Sequence, residues 1–153
     1  MAGSRTRNFA IAAGLVLAEF AFRPAAGWAA SDPDAVTYRR HVMKAMGEHA
    51  AALGLAMQQK GPSENVALHA RTLALTAEAA VKAFEAKIPG GEAKDEIWRN
   101  WPDFLKRMKS LSISANELAV VAEREGLAAA QAKAMAVLNC KSCHDIYRSR
   151  LRR

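Results

Sequence analysis

The run Cys140-Lys141-Ser142-Cys143-His144 holds the side chains of this sequence with the most distinctive chemistry. Thiols three positions apart stand one helical turn apart, and each can add to a vinyl group of one haem. The histidine directly after the second thiol is then held under the porphyrin, where an imidazole nitrogen reaches the iron. Attachment of this kind needs all three residue types in this order. Cys140 and Cys143 are the only cysteines, so no other thiol competes for them. Two other chemistries use the same residues. A redox-active C-x-x-C is expected beside a βαβ pattern, and no strand pattern occurs here. A structural zinc ion takes four protein ligands, so His41, His49 or His69 would have to complete its shell. The pattern favours one covalent haem c held through Cys140 and Cys143.

Covalent haem attachment in bacteria takes place outside the cytoplasmic membrane, and the start of the chain agrees with that. Arg5 and Arg7 precede the apolar run from Phe9 to Leu17, and small residues cluster from Ala25 to Ala30. This reads as an export signal over residues 1–29, with Ala30 opening a mature chain of residues 30–153 in the periplasm. Glu19 and Arg23 interrupt the apolar stretch, and it is too short for a membrane span. An uncleaved N-terminal anchor is the competing reading.

The remaining length suits one domain with one core. The formal charge of +7 is only partly carried by the signal segment, so the mature chain stays basic. The basic residues are not gathered with aromatics on one helix, which argues against nucleic acid. The expected partner is a redox protein with an acidic surface. No nucleophile–base pair is evident, so the sequence does not read as an enzyme.

Four helices must position the motif. The first opens at Asp32-Pro33 and runs to Lys60, where Gly61-Pro62 stops it. The second takes Ser63 as N-cap and continues to about Lys87, with Leu68, Leu75, Ala79 and Phe84 as its apolar stripe. A short turn follows near Glu96 to Trp98. The third runs from Trp101-Pro102 to Gly126, with an apolar stripe of Trp101, Phe104, Leu105, Met108, Leu111, Ala115, Leu118 and Val121. The fourth, from Leu127 to Arg148, carries the thiols. Four amphipathic helices with short connections predict an all-α, antiparallel four-helix bundle with the haem attached near the C-terminus.

A C-x-x-C-H in the last turns of a four-helix chain resembles the class II c-type cytochromes, which include cytochrome c prime and its low-spin, six-coordinate relatives. Cys140 to Arg148 is similar to the family ending C-x-x-C-H-x-x-[YF]-R. Tyr38-Arg39-Arg40-His41-Val42-Met43-Lys44 is similar to its first-helix pattern Y-R-x-x-x-M-K. Gly61-Pro62 and Glu96-Ile97-Trp98 with Phe104 are further, weaker matches. The resemblance implies His144 as iron ligand and Met43 facing the opposite side of the haem. It also implies Arg39 near the haem propionates and Arg148 beside the proximal pocket.

A thioether from Met43 on the iron would favour the ferrous state and limit reorganisation on electron transfer. The expectation is therefore a six-coordinate His144/Met43 iron in a periplasmic one-electron carrier. The alternative is a five-coordinate protein, similar to cytochrome c prime, that binds nitric oxide or carbon monoxide. Met46 lies about 60° round the helix from Met43 and His41 about 160°, so neither competes well as ligand. The resemblance leaves monomer and homodimer equally open.

Overall fold

The computed structural model describes residues 32–149. The proposed export signal and the basic residues Arg150, Arg152 and Arg153 lie outside the described residues.

Asp32 and Asp34 place negative charge in the first turn of α1 (Asp32–Met57), where the exposed N–H groups favour it. The helix stops three residues before the expected Lys60. Gln59 takes a left-handed backbone (φ 57°) and donates its N–H to the Ala56 carbonyl, while Lys60 donates to Leu55. These paired bonds close the last turn, with glutamine in the place glycine usually takes. Ser63 lies in a single 3-10 turn (Ser63–Asn65) rather than capping an α-helix, and α2 begins one turn later (Val66–Glu85). The expected short turn is α3 (Glu96–Arg99), and α4 (Trp101–Glu125) starts with proline in its first turn. Gly126, at φ 85°, joins α4 to α5 (Leu127–Leu138). The expected fourth helix is not continuous. Asn139 (φ −79°, ψ 52°) interrupts it, and the thiols sit on a separate helix, α6 (Cys140–Tyr147).

Helices α1, α2, α4 and the α5–α6 pair form an antiparallel four-helix bundle. Helix α2 packs against both α1 and α4, and it does so on alanine. Ala70, Ala74, Ala77, Ala80 and Ala83 are buried with Leu73 and Phe84. Leu68 and Leu75, expected in the stripe, point outward at 58% and 65% exposure. Leu68 and Leu75 flank the charged face of Arg71, Glu78 and Glu85, and small side chains occupy the opposite face, which packs on α1 and α4. The stripe read on α4 is correct for Phe104, Met108, Ala115 and Leu118, all buried.

The core has two parts. One, around Leu53, Leu73 and Leu118, joins α1, α2, α4 and α5. The other, around Phe84, Phe104, Met108 and Tyr147, also takes in Met43, Met46, Trp98, Trp101 and Cys143. Leu118 is fully buried in the first part. Leu118→Ala is expected to cost about 2–5 kcal/mol of unfolding free energy in urea titrations, the usual range for a large-to-small change in a close-packed core. A loss within about 0.5 kcal/mol, the range of ordinary surface substitutions, would mean this part of the core is loosely packed.

Candidate haem site

Helix α6 places Cys140 on its exposed side, with Cys143 one turn further, half-buried against the aromatic part of the core. Neither forms a disulfide. Burial raises the Cys143 pKa, which favours the uncharged thiol before haem is attached. His144 is exposed beside them. Partial desolvation, with the Arg148 charge second, lowers its pKa and favours the neutral imidazole. That is the protonation state with a lone pair to give.

Tyr147 anchors α6 to the bundle. Its ring meets Phe104 edge-on at 5.6 Å, and its hydroxyl donates to Asp103 at 2.6 Å. Arg107 Nε donates to the same carboxylate oxygen, also at 2.6 Å. Desolvation and the Asp103 bond push the Tyr147 pKa up to about 12, so it remains a donor throughout the neutral range. The bonds from Tyr147 and then Arg107 hold Asp103 below the ordinary carboxylate pKa. A group lowered in this way adds stability that is present above its unfolded pKa of about 4 and is lost as pH falls through its lower folded pKa. Tyr147→Phe removes the first of the two donors. Its acid unfolding, followed by circular dichroism, is expected to move to higher pH, and an unchanged midpoint would show that Arg107 alone sustains the shift.

The loop between α2 and α3 ties the first helix to the last. Arg39 is buried, with Nη1 and Nη2 donating to the carbonyls of Ile88 and Gly90, each at 2.8 Å. Its guanidinium lies over Phe84 at 4.9 Å and Trp98 at 5.6 Å, a cation between two aromatic faces. Trp98 is itself fixed by its indole N–H, which donates to the Phe84 carbonyl at 2.9 Å. On its other side the loop pairs with the end of α6. Lys94 donates its N–H to the Tyr147 carbonyl, and Ser149 donates to Glu92. The Arg148 side chain binds the Glu92 carboxylate at 2.5 Å. Gly90 makes this course possible. It holds φ 128°, and a Cβ there would stand 3.1 Å from Val36 Cγ2.

Met43 and Cys143, far apart in sequence, border the same aromatic cluster, with Arg39 at its edge. Arg148 lies outside it, facing Glu92, and His41 is exposed. The guanidinium contacts on Ile88 and Gly90 were not visible from sequence, where Ile88-Pro89-Gly90-Gly91 reads only as a helix stop. Glu92, Asp103 and the Phe84–Trp98 pair also carry no motif. The one available signal was the aromatic at Tyr147, within the ending already noted.

These residues fit a covalent haem. Two thiols lie one turn apart, an imidazole that favours its neutral form follows, and Cys143 and Met43 both pack on one apolar aromatic wall. An antiparallel four-helix bundle with this donor set on its last helix is a c-type cytochrome of the bundle kind. The chain belongs to the cytochrome c′ family, whose match spans residues 34–148. It carries one haem c, attached through Cys140 and Cys143.

Cytochrome c′ of Rhodospirillum rubrum is 34% identical over 78% of this chain and 86% of its own length. That of Pararhodospirillum photometricum is 33% identical over 77% of this chain and 99% of its own. Among solved structures, a nitric oxide complex of a mutant cytochrome c prime from Alcaligenes xylosoxidans superposes with a TM-score of 0.70. It shares 25% identity and covers 79% of this chain and 98% of that one.

Membership of this family overturns the expected six-coordinate electron carrier, because the haem of cytochrome c′ is typically five-coordinate. Met43 has another role open to it. It is a partly buried hydrophobic side chain packed on the aromatic cluster, as Met46 is. A methionine one turn after an arginine satisfies the sequence pattern equally well as a ligand or as filler.

Proposed function

We propose that this protein is an exported haem protein that binds nitric oxide or carbon monoxide at a five-coordinate iron whose protein ligand is His144. When bound, the haem would supply an iron able to take up a small gas ligand. The chain's own residues supply attachment at Cys140 and Cys143, a neutral imidazole at His144, and an apolar cover at Met43 and Met46. Arg39 serves the propionates with the N–H groups that Ile88 and Gly90 leave over. Arg148, paired with Glu92, shields the histidine side.

The observation that carries this reading is the chemistry of the wall. The buried members of the aromatic cluster are alanines, Phe84, Ile97, Phe104, Met108 and Tyr147, and the Tyr147 hydroxyl is already committed to Asp103. The spare donors beside this wall are the remaining Arg39 N–H groups at its Phe84–Trp98 edge, so its buried apolar side chains give little support to anions or water and leave small neutral gases as the ligands that enter at least cost. The nitric oxide complex of the Alcaligenes relative is in keeping with this.

The test is a gas titration of the reduced holoprotein followed by absorption. One carbon monoxide per haem is expected, with Met43→Leu binding it equally well or more tightly. Failure of the wild type to take up either gas would overturn the proposal.

A further inference from the structure

His49 on α1 and His69 on α2 face each other, with Nδ1 atoms 3.1 Å apart and ring centroids 5.4 Å apart at a 49° tilt. Both are half-buried, and neither takes part in the haem site. Two Nδ1 atoms this close can share one proton or one cation, but they cannot both carry a proton without opposing two N–H groups. The separation has a second meaning. Nitrogens bound to one ion at about 2.0–2.1 Å stand about 2.9–3.4 Å apart as the angle between them opens from square to tetrahedral. The observed spacing falls within that interval with no movement of either helix.

We propose that His49 and His69 form a two-imidazole site for a borderline divalent transition ion, copper(II) or zinc(II), that bridges α1 and α2. Imidazole is the donor such ions prefer, and copper(II) holds nitrogen pairs more tightly than zinc(II) does. Among the described residues no cluster of three or more His, Cys, Asp or Glu side chains surrounds the pair. The other coordination positions therefore belong to solvent, which makes the site open and exchangeable rather than a closed structural centre. His49 lies six residues after Met43, about 9 Å along α1, so a bound ion fastens to α2 the same helix that covers the haem.

The test uses the ferric holoprotein, titrated with copper(II) alone and with zinc(II) alone. Calorimetry and thermal unfolding are followed on the wild type, on His49→Gln and His69→Gln, and on His41→Gln as control. One ion per chain is expected for the wild type and the control, with a rise in Tm on loading. Each of the other two variants is expected to lose at least about tenfold in affinity, together with the rise in Tm. The electron paramagnetic resonance spectrum of copper in the wild type reads the ligands directly and does not depend on any variant folding. Two imidazole nitrogens support the site. One nitrogen or none, or uptake that the His49 and His69 variants leave unchanged, overturns it.

Discussion

Replacing both Cys140 and Cys143 with alanine is expected to abolish covalent haem, so that the denatured protein keeps no haem absorbance or haem stain. The two thiols are the only cysteines, so no other residue can form either thioether. The single variants differ in a way the structure anticipates. Cys140 is exposed, whereas Cys143 is half-buried against the aromatic cluster and its loss also removes packing. Cys140→Ala is therefore expected to keep one thioether and a native-like fold. Cys143→Ala should lose stability as well, by about 1 kcal/mol, the scale of a buried small apolar group. Equal stability of the two would mean that Cys143 takes no part in the core.

The second large effect belongs to Arg39, through the loop and not through any direct contact with the thiols. Arg39→Ala leaves the Ile88 and Gly90 carbonyls without their donors and removes a cation from between Phe84 and Trp98. Each unmade bond to a partly buried carbonyl costs about 1–3 kcal/mol, and the cation–π contact adds about 0.5–2 kcal/mol. Water reaching the loop recovers some of this, so the expected loss is about 2–4 kcal/mol in urea unfolding. Burial lowers the Arg39 pKa, yet a guanidinium stays charged throughout the working range. Arg39→Lys keeps the charge but has no planar fork to reach two carbonyls at once, so it should restore less than half of the loss. A loss below about 0.5 kcal/mol in Arg39→Ala would show that the loop is held by its pairing to α6 alone.

Chemistry carried by short, local patterns was readable in the sequence. The C-x-x-C-H run needs only its own five residues, and the α4 stripe from Phe104 to Leu118 repeats at helix spacing with large side chains. The features that escaped depend on contacts far apart in the chain or on size. In α2 the large leucines, Leu68 and Leu75, drew the stripe to the wrong face because the true contact face is built of alanine. The break at Asn139 has no proline or glycine to announce it. The tie from Arg39 through the Ile88–Lys94 loop to Arg148 joins residues about fifty positions apart and leaves no periodic trace. The resemblance implied Arg39 and Arg148 as neighbours of the haem; the contacts the structure shows for them are with this loop. Met43 is the instructive case. Its position on the helix face was readable, but whether its sulfur meets iron depends on a spacing across the bundle that no helix period encodes.

The coordination of that iron separates a gas-binding protein from an electron carrier. Resonance Raman and electron paramagnetic resonance spectra of the isolated holoprotein, ferric and ferrous, report its spin and coordination without added ligand. The expected result is a five-coordinate, high-spin iron in the ferrous state, no sulfur-to-iron band in the ferric state, and spectra that Met43→Leu leaves in place. Low-spin iron in both states, with a ferric sulfur band that disappears in Met43→Leu, would contradict it.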